Sequence, residues 1–363
     1  MTDFSGELLM TNALHLSRRT VLTGSIAGAS ALSMHGRAFA QAMDMGGAQT
    51  QCQAAGPATI EPVPGPPRNL TIAWNEASIC TAAVPVAKEK GFFKKYNLNI
   101  DYVNFAGATD QLLEALSTGK ADGAPGMALR WLKPLQQGFD VKLVAGLHAG
   151  CMYLMTAPST GIKTLADLKG KTVGVTDIGG PDRNFFSIRL KEAGLDPETD
   201  VQWRQFPADL LPLALQRGDV QAISDADPFS YPQRRQFGLL DIDNNMKGEW
   251  AHLTCCVIGL RGSLIRNEPK VAAAVTRAIL EAGAWLACNP EEAAAIFQPY
   301  APKTNIKDLA AMLQMQGHHH QTLTGDFRQE IVRYAEALKQ IGVFRPSLNT
   351  ERYAQRVTQD LFS

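Results

Sequence analysis

The sequence lacks net charge, has few cysteines and contains none of the common catalytic motifs. Its 363 residues include 35 Lys and Arg against 35 Asp and Glu. Proteins that bind nucleic acid or anionic membranes concentrate positive charge, so this balance gives no indication of either partner. No G-x-S-x-G, P-loop or H-E-x-x-H motif stands where it would carry chemistry, and the six cysteines include no C-x-x-C pair. These absences favour a binding protein over an enzyme.

Long apolar runs are scarce as well. Apart from a stretch near the start, no segment predicts a transmembrane helix. That stretch, Val21–Met34, is too short to span a bilayer, follows the paired arginines Arg18 and Arg19, and precedes the small-x-small sequence Ala38-Phe39-Ala40. This order predicts a twin-arginine signal peptide over residues 1–40, and therefore a periplasmic protein. The alternative is a disordered basic tail.

The segment after this signal has no hydrophobic periodicity. Residues 41–68 are rich in Pro, Gly, Gln and Ala, a composition that favours extended or flexible chain over a packed core. We therefore predict a flexible linker, which contains Cys52.

From residue 70 onward, short apolar runs alternate with helical patterns. Strands are predicted at 70–74, 98–105, 121–126, 141–148, 172–177, 200–206 and 222–228, and in the run "TCCVIGLRGSLI". Helix signals separate them; for example, Pro181 and Asp182 open a helix that Gly194 ends. The alternation predicts an α/β fold with mostly parallel sheets, and it restarts near residue 158.

Three segments of the chain carry a resemblance to known proteins: "VAKEKGFFKKYNLNIDYV", "IKTLADLKGKTVGVTDIGG" and "LLPLALQRGDVQAISDADPF". In the same order, they resemble motifs of periplasmic substrate-binding proteins of the nitrate/sulfonate/taurine type, which serve ABC importers. The resemblance extends over about residues 70–345. It implies a two-lobed type II periplasmic-binding-protein fold, in which each lobe is a mostly parallel sheet flanked by helices. Lobe 1 is then 69–155 and 256–363, lobe 2 is 156–255, and two hinge crossings near 150–158 and 250–260 join them.

The same resemblance implies a function. The chain is expected to bind a small organic or inorganic solute in a cleft between the lobes, to close around it, and to deliver it to the membrane permease of an ABC importer. It is expected to act as a monomer without a cofactor. Two alternatives remain: a metal- or cofactor-dependent enzyme similar to the thiamine-pyrimidine synthase, and a sensory binding protein without a transporter.

The predicted cleft residues lie where strands end and helices begin. Ligands of open α/β sheets bind beyond the carboxyl ends of the strands, near helix N-termini that favour anions. The candidates at these joints are Trp74, Asn75, Glu76, Gly107, Ala108, Met127, Gly180, Asp182, Arg183, Asp225, Asp227 and Phe229. Several of these are acidic. They either cap helices and turns or face a cationic or hydrogen-donating part of the ligand.

Both predicted crossings contain cysteine and histidine. The first has His148 and Cys151, and the second has the adjacent pair Cys255 and Cys256. Because neighbouring residues of a strand point to opposite faces, one of the pair is expected beside Cys151 at the cleft floor, with Cys255 preferred. His148, Cys151 and Cys255 are therefore added to the predicted ligand site. Four roles stay open for the group: packing, a disulfide, a reactive thiol, and a metal site drawn from these residues and Cys256.

A second histidine group, His318–His320, resembles a metal-binding tract. Three consecutive residues of a helix point to different faces, so their imidazoles are not expected to share an ion. We therefore interpret the run as a solvated or helix-end cluster.

Overall fold

The structure is a computed structural model that describes residues 52–57 and 59–363. The predicted signal peptide, residues 1–40, lies outside the described residues, as do 41–51 and 58 of the predicted linker. In the described part, the strands are β1 Arg68–Trp74, β2 Leu98–Asn104, β3 Gly123–Met127, β4 Val141–His148, β5 Met152–Thr156, β6 Lys171–Val175, β7 Val201–Gln205, β8 Ala222–Ala226, β9 Leu240–Asn244 and β10 Cys256–Arg261.

Helices connect and flank these strands. They are α1 Ala83–Glu89, α2 Phe92–Lys95, α3 Thr109–Ser117, α4 Ala128–Gln136, α5 Pro181–Glu192, α6 Leu211–Gln216, α7 Ser230–Phe237, α8 Gly262–Asn267, α9 Pro269–Cys288, α10 Pro290–Phe297, α11 Ile306–Met315, α12 Thr324–Gln340 and α13 Thr350–Val357. Single 3₁₀ turns lie at Ile79–Thr81, Pro158–Thr160, Leu165–Leu168, Ala208–Leu210, Gly248–His252 and Gln298–Tyr300.

The strands form two five-stranded sheets with the same plan. The first sheet has the order β2-β1-β3-β10-β4, and the second has β7-β6-β8-β5-β9. In each sheet a single strand runs against the other four: β10 pairs antiparallel with β3 and β4, and β5 pairs antiparallel with β8 and β9. The reversed strand is in both cases the one that the chain enters after crossing from the other sheet. The predicted α/β class is therefore confirmed.

Local sequence signals determine where several elements begin. Gly180 is the N-cap of α5, with Pro181 at the first helical position, and Gly194 follows the helix with a φ of 84°. This agrees with the predicted helix and its stop signal. Thr164 and Asp167 form a capping box at the turn Leu165–Leu168, because each side chain satisfies the other residue's backbone N–H.

The core follows both sheets and contains the longest helix. Among the described residues, α9 is long and apolar enough to cross a membrane by length and composition alone. In the most apolar 18-residue stretch of this helix, 83% is buried inside the protein, where the helix packs on α1 and α2. Its apolar residues therefore cover the first sheet, and this burial explains why the helix contains few charged residues.

The described part of the predicted linker is attached to the folded protein. Cys52 forms a disulfide with Cys288, the last residue of α9, at a Cα–Cα distance of 5.7 Å. The backbone N–H of Ala55 donates to Gln321 Oε1 at 3.0 Å. This anchoring differs from the expected flexible linker, because the partner cysteine lies 236 residues away and no local pattern reveals the pairing.

Candidate functional site

A cleft of about 880 Å³ lies between the two sheets. One wall comes from segments that follow β1, β2 and β3 of the first sheet. The facing wall comes from segments that follow β6, β7 and β8 of the second sheet. Both sheets therefore direct the carboxyl ends of parallel strands at the same space, where helix N-termini offer free N–H groups.

The wall of the first sheet has a basic residue at its centre. Arg130, in the first turns of α4, donates from Nη1 to the carbonyl oxygen of Gly107 at 2.6 Å and to Thr109 Oγ1 at 2.7 Å. Burial lowers the pKa of Arg130, but a guanidinium remains charged at neutral pH. The bonds to the β2–α3 loop hold this cation in the cleft wall. Lys133, one turn further along α4, also lines the cleft, but its Nζ donates to the carbonyl oxygen of Val343 at 2.9 Å.

The wall of the second sheet has three buried carboxyl groups, Asp182, Asp225 and Asp227. Burial raises the pKa of Asp182 and that of Asp227 to about 6, and it raises the pKa of Asp225 well above its usual value. Each has a protein donor. Thr176 Oγ1 donates to Asp182 at 3.4 Å, Gln233 Nε2 to Asp225 at 3.1 Å, and the backbone N–H of Tyr231 to Asp227 at 3.1 Å.

Asp182 keeps one carboxylate oxygen without a protein partner. Within the described residues, its Oδ1 is buried and forms no hydrogen bond. The adjacent N-cap, Gly180, approaches that oxygen closely: a Cβ placed on Gly180 would lie 2.9 Å from Asp182 Oδ1. Glycine is therefore required there on steric grounds. An unsatisfied buried acceptor costs about 1–3 kcal/mol, so this oxygen is suited to a ligand donor.

A hydrogen bond joins the two walls across the cleft. Thr109 Oγ1, at the start of α3, donates to Oδ2 of Asp177, which follows β6, at 3.1 Å. Since Thr109 also accepts from Arg130, the cation of one wall is connected to a carboxylate of the other through a single hydroxyl. The two walls thus approach within hydrogen-bonding distance of each other at this contact.

The cysteines lie beneath the cleft, where the chain crosses between sheets. Cys151 Sγ is 3.6 Å from Cys255 Sγ, and Cys256 Sγ is 3.6 Å from Cys80 Sγ. All four are buried and free. The predicted proximity of Cys151 to the pair is confirmed, with Cys255 as the neighbour. The two adjacent cysteines have different partners, as expected from residues with opposite directions.

Several predicted site residues line the cleft. They are Asn75, Gly107, Ala108, Met127, Asp182, Asp225, Asp227 and Phe229. Phe229 keeps 38% of its surface exposed, so its ring offers an apolar contact inside an otherwise polar space. These positions share one property: each lies at a strand's carboxyl end or between that end and the first turn of the next helix. Their roles in ligand binding remain predictions.

Four other predicted residues do not line the cleft. Trp74 is 2% exposed and packs edge-on against Tyr300, with a centroid distance of 4.7 Å, so it is a core residue. Glu76 is exposed and accepts from Asn104 Nδ2 at 2.7 Å. Arg183 points away from the cleft, because its Nη2 donates to Glu198 at 2.6 Å. Gly180 shapes the wall through its neighbour Asp182.

The predicted cleft floor also requires correction. His148, Cys151 and Cys255 are at most 2% exposed and do not line the cleft. The run His318–His320 lies in the turn after α11 and not on a helix. His318 is buried against His148, with ring centroids 4.7 Å apart, whereas His320 Nε2 contacts Glu330 Oε1 at 2.9 Å.

Sequence reasoning missed two residues that the fold brings to this region. Asp177 contacts Thr109, which lies in one of the predicted strand-to-helix joints, and Cys80 joins the buried cysteines. Asp177 is the last residue of the predicted strand 172–177, so the strand-end rule includes it. Cys80 gives no such signal, since it lies in a turn after β1 and its partner is 176 residues away.

Comparison with known proteins supports the fold. The chain is 26% identical over 303 residues to the nitrate/nitrite binding protein NrtA of Nostoc sp., a match that covers 77% of this chain and 68% of NrtA. It is 23% identical to the bicarbonate-binding protein CmpA of Synechococcus elongatus over 56% of this chain and 51% of CmpA, about half of that protein. The periplasmic aliphatic sulphonate binding protein SsuA of Escherichia coli superposes with a TM-score of 0.67 at 20% identity, covering 81% of this chain and 93% of SsuA.

A family model matches most of the folded part. The NMT1-like family model aligns with residues 64–300, which include both sheets and both crossings. The structural neighbours share the two-lobed architecture of periplasmic binding proteins. This chain belongs to the NMT1-like family.

Proposed function

We propose that the chain is an extracytoplasmic solute-binding protein that closes on a small solute and delivers it to the permease of an ABC importer. The observation that carries the proposal is the cleft between the sheets, in which strand ends and helix N-termini meet buried polar side chains. The contact between Thr109 and Asp177 supports closure, because it joins the two walls where a ligand would be enclosed. The relatives named as nitrate-, bicarbonate- and sulphonate-binding proteins support the same class.

The proposed location is the periplasm, reached by the twin-arginine route, and the proposed working form is a monomer. The paired arginines Arg18 and Arg19 support the route. Exchanging both for lysine is expected to leave the precursor in the cytoplasm, which cell fractionation measures. Export of that variant at the normal rate would rule out the route without affecting the proposed binding activity.

The charges of the cleft favour a solute with two different ends. Arg130 and the N-termini of α3 and α4 suit an anionic or acceptor group. On the facing wall, the carboxyl groups of Asp182, Asp225 and Asp227 suit a cationic or hydrogen-donating group of the ligand. Burying these carboxyl groups away from water costs free energy, and a ligand donor that bonds to them reduces this cost. The two ends together describe a small zwitterion, such as an aminosulfonate, better than nitrate.

A pair of matched solutes tests this proposal. Taurine and ethanesulfonate differ only by an amino group, so thermal unfolding of the purified chain with each solute isolates the contribution of the carboxylates. Ligand at a hundred times its Kd stabilises the native state by about 3 kcal/mol. Taurine is expected to raise the melting temperature, and ethanesulfonate is expected to raise it less.

The control variants separate the binding wall from the general surface. Asp182→Asn is expected to remove the difference between the two solutes, whereas Asp101→Asn, an exposed change on β2, is expected to preserve it. Equal shifts with both solutes would contradict a zwitterionic ligand. Mass spectrometry of the folded chain after purification detects any small molecule that it retains. If no small molecule is retained, and if nitrate, sulfonates and amino acids all leave the melting temperature unchanged, the solute-binding function itself is contradicted.

A further inference from the structure

Beneath the cleft, three buried side chains direct soft donor atoms at one point. Cys80 Sγ, a ring nitrogen of His148 and Cys256 Sγ all lie within 4.8 Å of one another. The two sulfurs are 3.6 Å apart. Two thiolates that bind one tetrahedral zinc ion at about 2.3 Å each are separated by roughly 3.8 Å, so the sulfurs already have nearly the spacing of two ligands of the same ion.

The orientation of His148 is that of a metal ligand. Its Nδ1 donates a hydrogen bond to the carbonyl oxygen of Ala149, so that nitrogen carries the hydrogen and Nε2 presents a lone pair. Within the described residues, Nε2 is buried and forms no hydrogen bond. Metal-binding histidines almost always donate their second ring N–H to a carbonyl or carboxylate, which orients the ring toward the ion. A buried imidazole nitrogen without a donor is costly unless a ligand occupies it.

Rigid elements hold the three donors in place. His148 is the last residue of β4, and Cys256 is the first residue of β10, directly opposite it in the register of the first sheet. Cys80 lies in the 3₁₀ turn that follows β1, and Ser78 Oγ contacts its sulfur at 2.9 Å. All three donors are at most 1% exposed, so no rearrangement of exposed side chains is needed to assemble them.

The remaining two thiols adjoin the three donors but lie outside the group whose ligand atoms are all within 4.8 Å of one another. Cys151 Sγ contacts Cys255 Sγ at 3.6 Å, and Asn245 Nδ2 donates to Cys255 Sγ at 3.3 Å. These two cysteines are as deeply buried as Cys80 and Cys256. They therefore provide a matched pair of control positions, at which the same substitution removes the same volume from the same part of the core.

We propose that Cys80, His148 and Cys256 form a binding site for one thiophilic cation with a filled d shell, Zn²⁺ or Cu⁺. Thiolate and imidazole ligands favour these ions over hard cations such as Mg²⁺ and Ca²⁺. Both thiols lose their protons on binding. The two thiolates neutralise the charge of a zinc ion. With Cu⁺ they leave one negative charge, which the guanidinium of Arg130 offsets through its electrostatic interaction with both sulfurs. Neither case leaves an isolated charge in the core.

Metal analysis of the purified full-length chain tests the site, with no dependence on the proposed solute-binding function. The protein is isolated under reducing conditions without chelators from cells grown with added zinc or added copper. One ion per chain is expected. X-ray absorption at the metal edge is expected to show two sulfur ligands and one imidazole nitrogen, and the edge itself identifies zinc or Cu⁺.

Substitutions assign the ligands. Cys80→Ala and Cys256→Ala are each expected to lose the ion, whereas Cys151→Ala and Cys255→Ala are expected to retain it. If the first two variants do not fold, His148→Gln supplies the same test with both sulfurs kept, and its circular dichroism spectrum verifies the fold. It is expected to lower the bound metal and to remove the nitrogen contribution from the absorption spectrum.

Three outcomes would overturn the proposal. One is a reduced, folded chain that neither contains an ion nor binds added Zn²⁺ or Cu⁺. Another is a mass two hydrogens lower than expected with the Cys52–Cys288 disulfide alone, traced by peptide mapping to a bond between Cys80 and Cys256. The third is a loss of metal from the Cys151→Ala and Cys255→Ala variants as large as that from Cys80→Ala and Cys256→Ala, which would assign the ion to a different ligand set.

Discussion

At the scale of single residues, burial sets the charge of the cleft. Asp182 and Asp227 have pKa values raised from 3.8 to about 6, because burial disfavours their ionised forms more than nearby donors and cations favour them. The positive charge of Arg130 partly offsets the rise in the pKa of Asp182, and that of Arg234 partly offsets the rise in the pKa of Asp227. At neutral pH these carboxyl groups are therefore mainly ionised at a cost in stability, which a cationic ligand group would reduce.

This cost predicts a pH dependence of stability. Between the unfolded pKa of 3.8 and the folded pKa of about 6, the native chain binds more protons than the unfolded chain, so stability falls as pH rises through this window. Each group lowers the free energy of unfolding by roughly 3 kcal/mol across the window, because a tenfold difference in proton affinity between the two states corresponds to about 1.4 kcal/mol.

Urea unfolding at several pH values between 4 and 7 measures this dependence. Asp227→Asn is expected to reduce the slope of stability against pH, and the exposed control Asp101→Asn is expected to keep it. An unchanged slope in Asp227→Asn would contradict the burial argument.

Trp74 provides a second prediction at this scale. Its ring packs against Tyr102 and Tyr300, and its Nε1 donates to Thr81 Oγ1 at 2.7 Å inside the core. Trp74→Ala is expected to destabilise the fold by about 3–5 kcal/mol, as for other large aromatic deletions. Solute affinity, measured by calorimetry well below the melting temperature, is expected to change little. A large loss of affinity with an unchanged melting temperature would return Trp74 to the binding site.

At the scale of elements, the Cys52–Cys288 disulfide ties the segment before β1 to the end of α9. A cross-link stabilises mainly by restricting the unfolded chain, and the effect grows with the length of the closed loop. The two cysteines are 236 residues apart in the sequence. The segment also contributes backbone contacts, such as the bond from Arg277 Nη1 to the carbonyl oxygen of Ala55 at 2.8 Å.

Removal of this disulfide is therefore expected to lower stability by about 2–5 kcal/mol. Thermal unfolding of Cys52→Ala, Cys288→Ala and the double variant measures the loss. All three are expected to lose the same amount, and a reductant is expected to lower the melting temperature of the natural chain alone. Additive losses in the double variant would mean that the side chains stabilise through packing and not through the covalent bond.

At the scale of the whole molecule, the hydrogen bond from Thr109 to Asp177 connects two walls that lie far apart in the sequence. Gln316 Nε2, which follows α11, reaches Asp227 Oδ2 at 3.5 Å and adds a second contact between the same halves. If the lobes open about the crossings, as we propose, both contacts must break. The balance between open and closed forms then depends on these bonds together with other contacts between the halves, such as the ion pair of Arg235 with Asp308 at 2.7 Å.

Thr109→Val is therefore expected to shift the solute-free chain toward an open form and to weaken solute binding. Small-angle X-ray scattering is expected to give a larger radius of gyration than for the natural chain, and saturating ligand is expected to reduce it. Thr118→Val, which removes a hydroxyl bonded at the end of α3 to the carbonyl oxygen of Glu114, is the control for loss of a threonine hydroxyl. An identical radius of gyration for both variants, with and without ligand, would contradict hinge closure.

The sequence by itself determined the element types and the edge of the sheets where a ligand binds. Periodicity located β4 at its observed bounds, Val141–His148, and the strand-end rule selected Asp182, Asp225 and Asp227. It did not reveal β5 and β9. Strand β5 lies only three residues after β4, so in the sequence the two strands form one apolar run. In β9, "LDIDN", the apolar residues alternate with aspartates, which are typical of turns.

Tertiary structure alone decided which distant side chains meet. Trp74 and Asp227 both stand at strand ends, yet Trp74 turns into the core of the first sheet and Asp227 lines the cleft. The Cys52–Cys288 disulfide and the site of Cys80, His148 and Cys256 depend on strand order and register, since Cys256 lies opposite His148 only because β10 enters the sheet beside β4. Hydrophobic periodicity reports how each segment is buried, but it contains no information on which other segment buries it. Contacts across a hundred or more residues therefore follow from the fold.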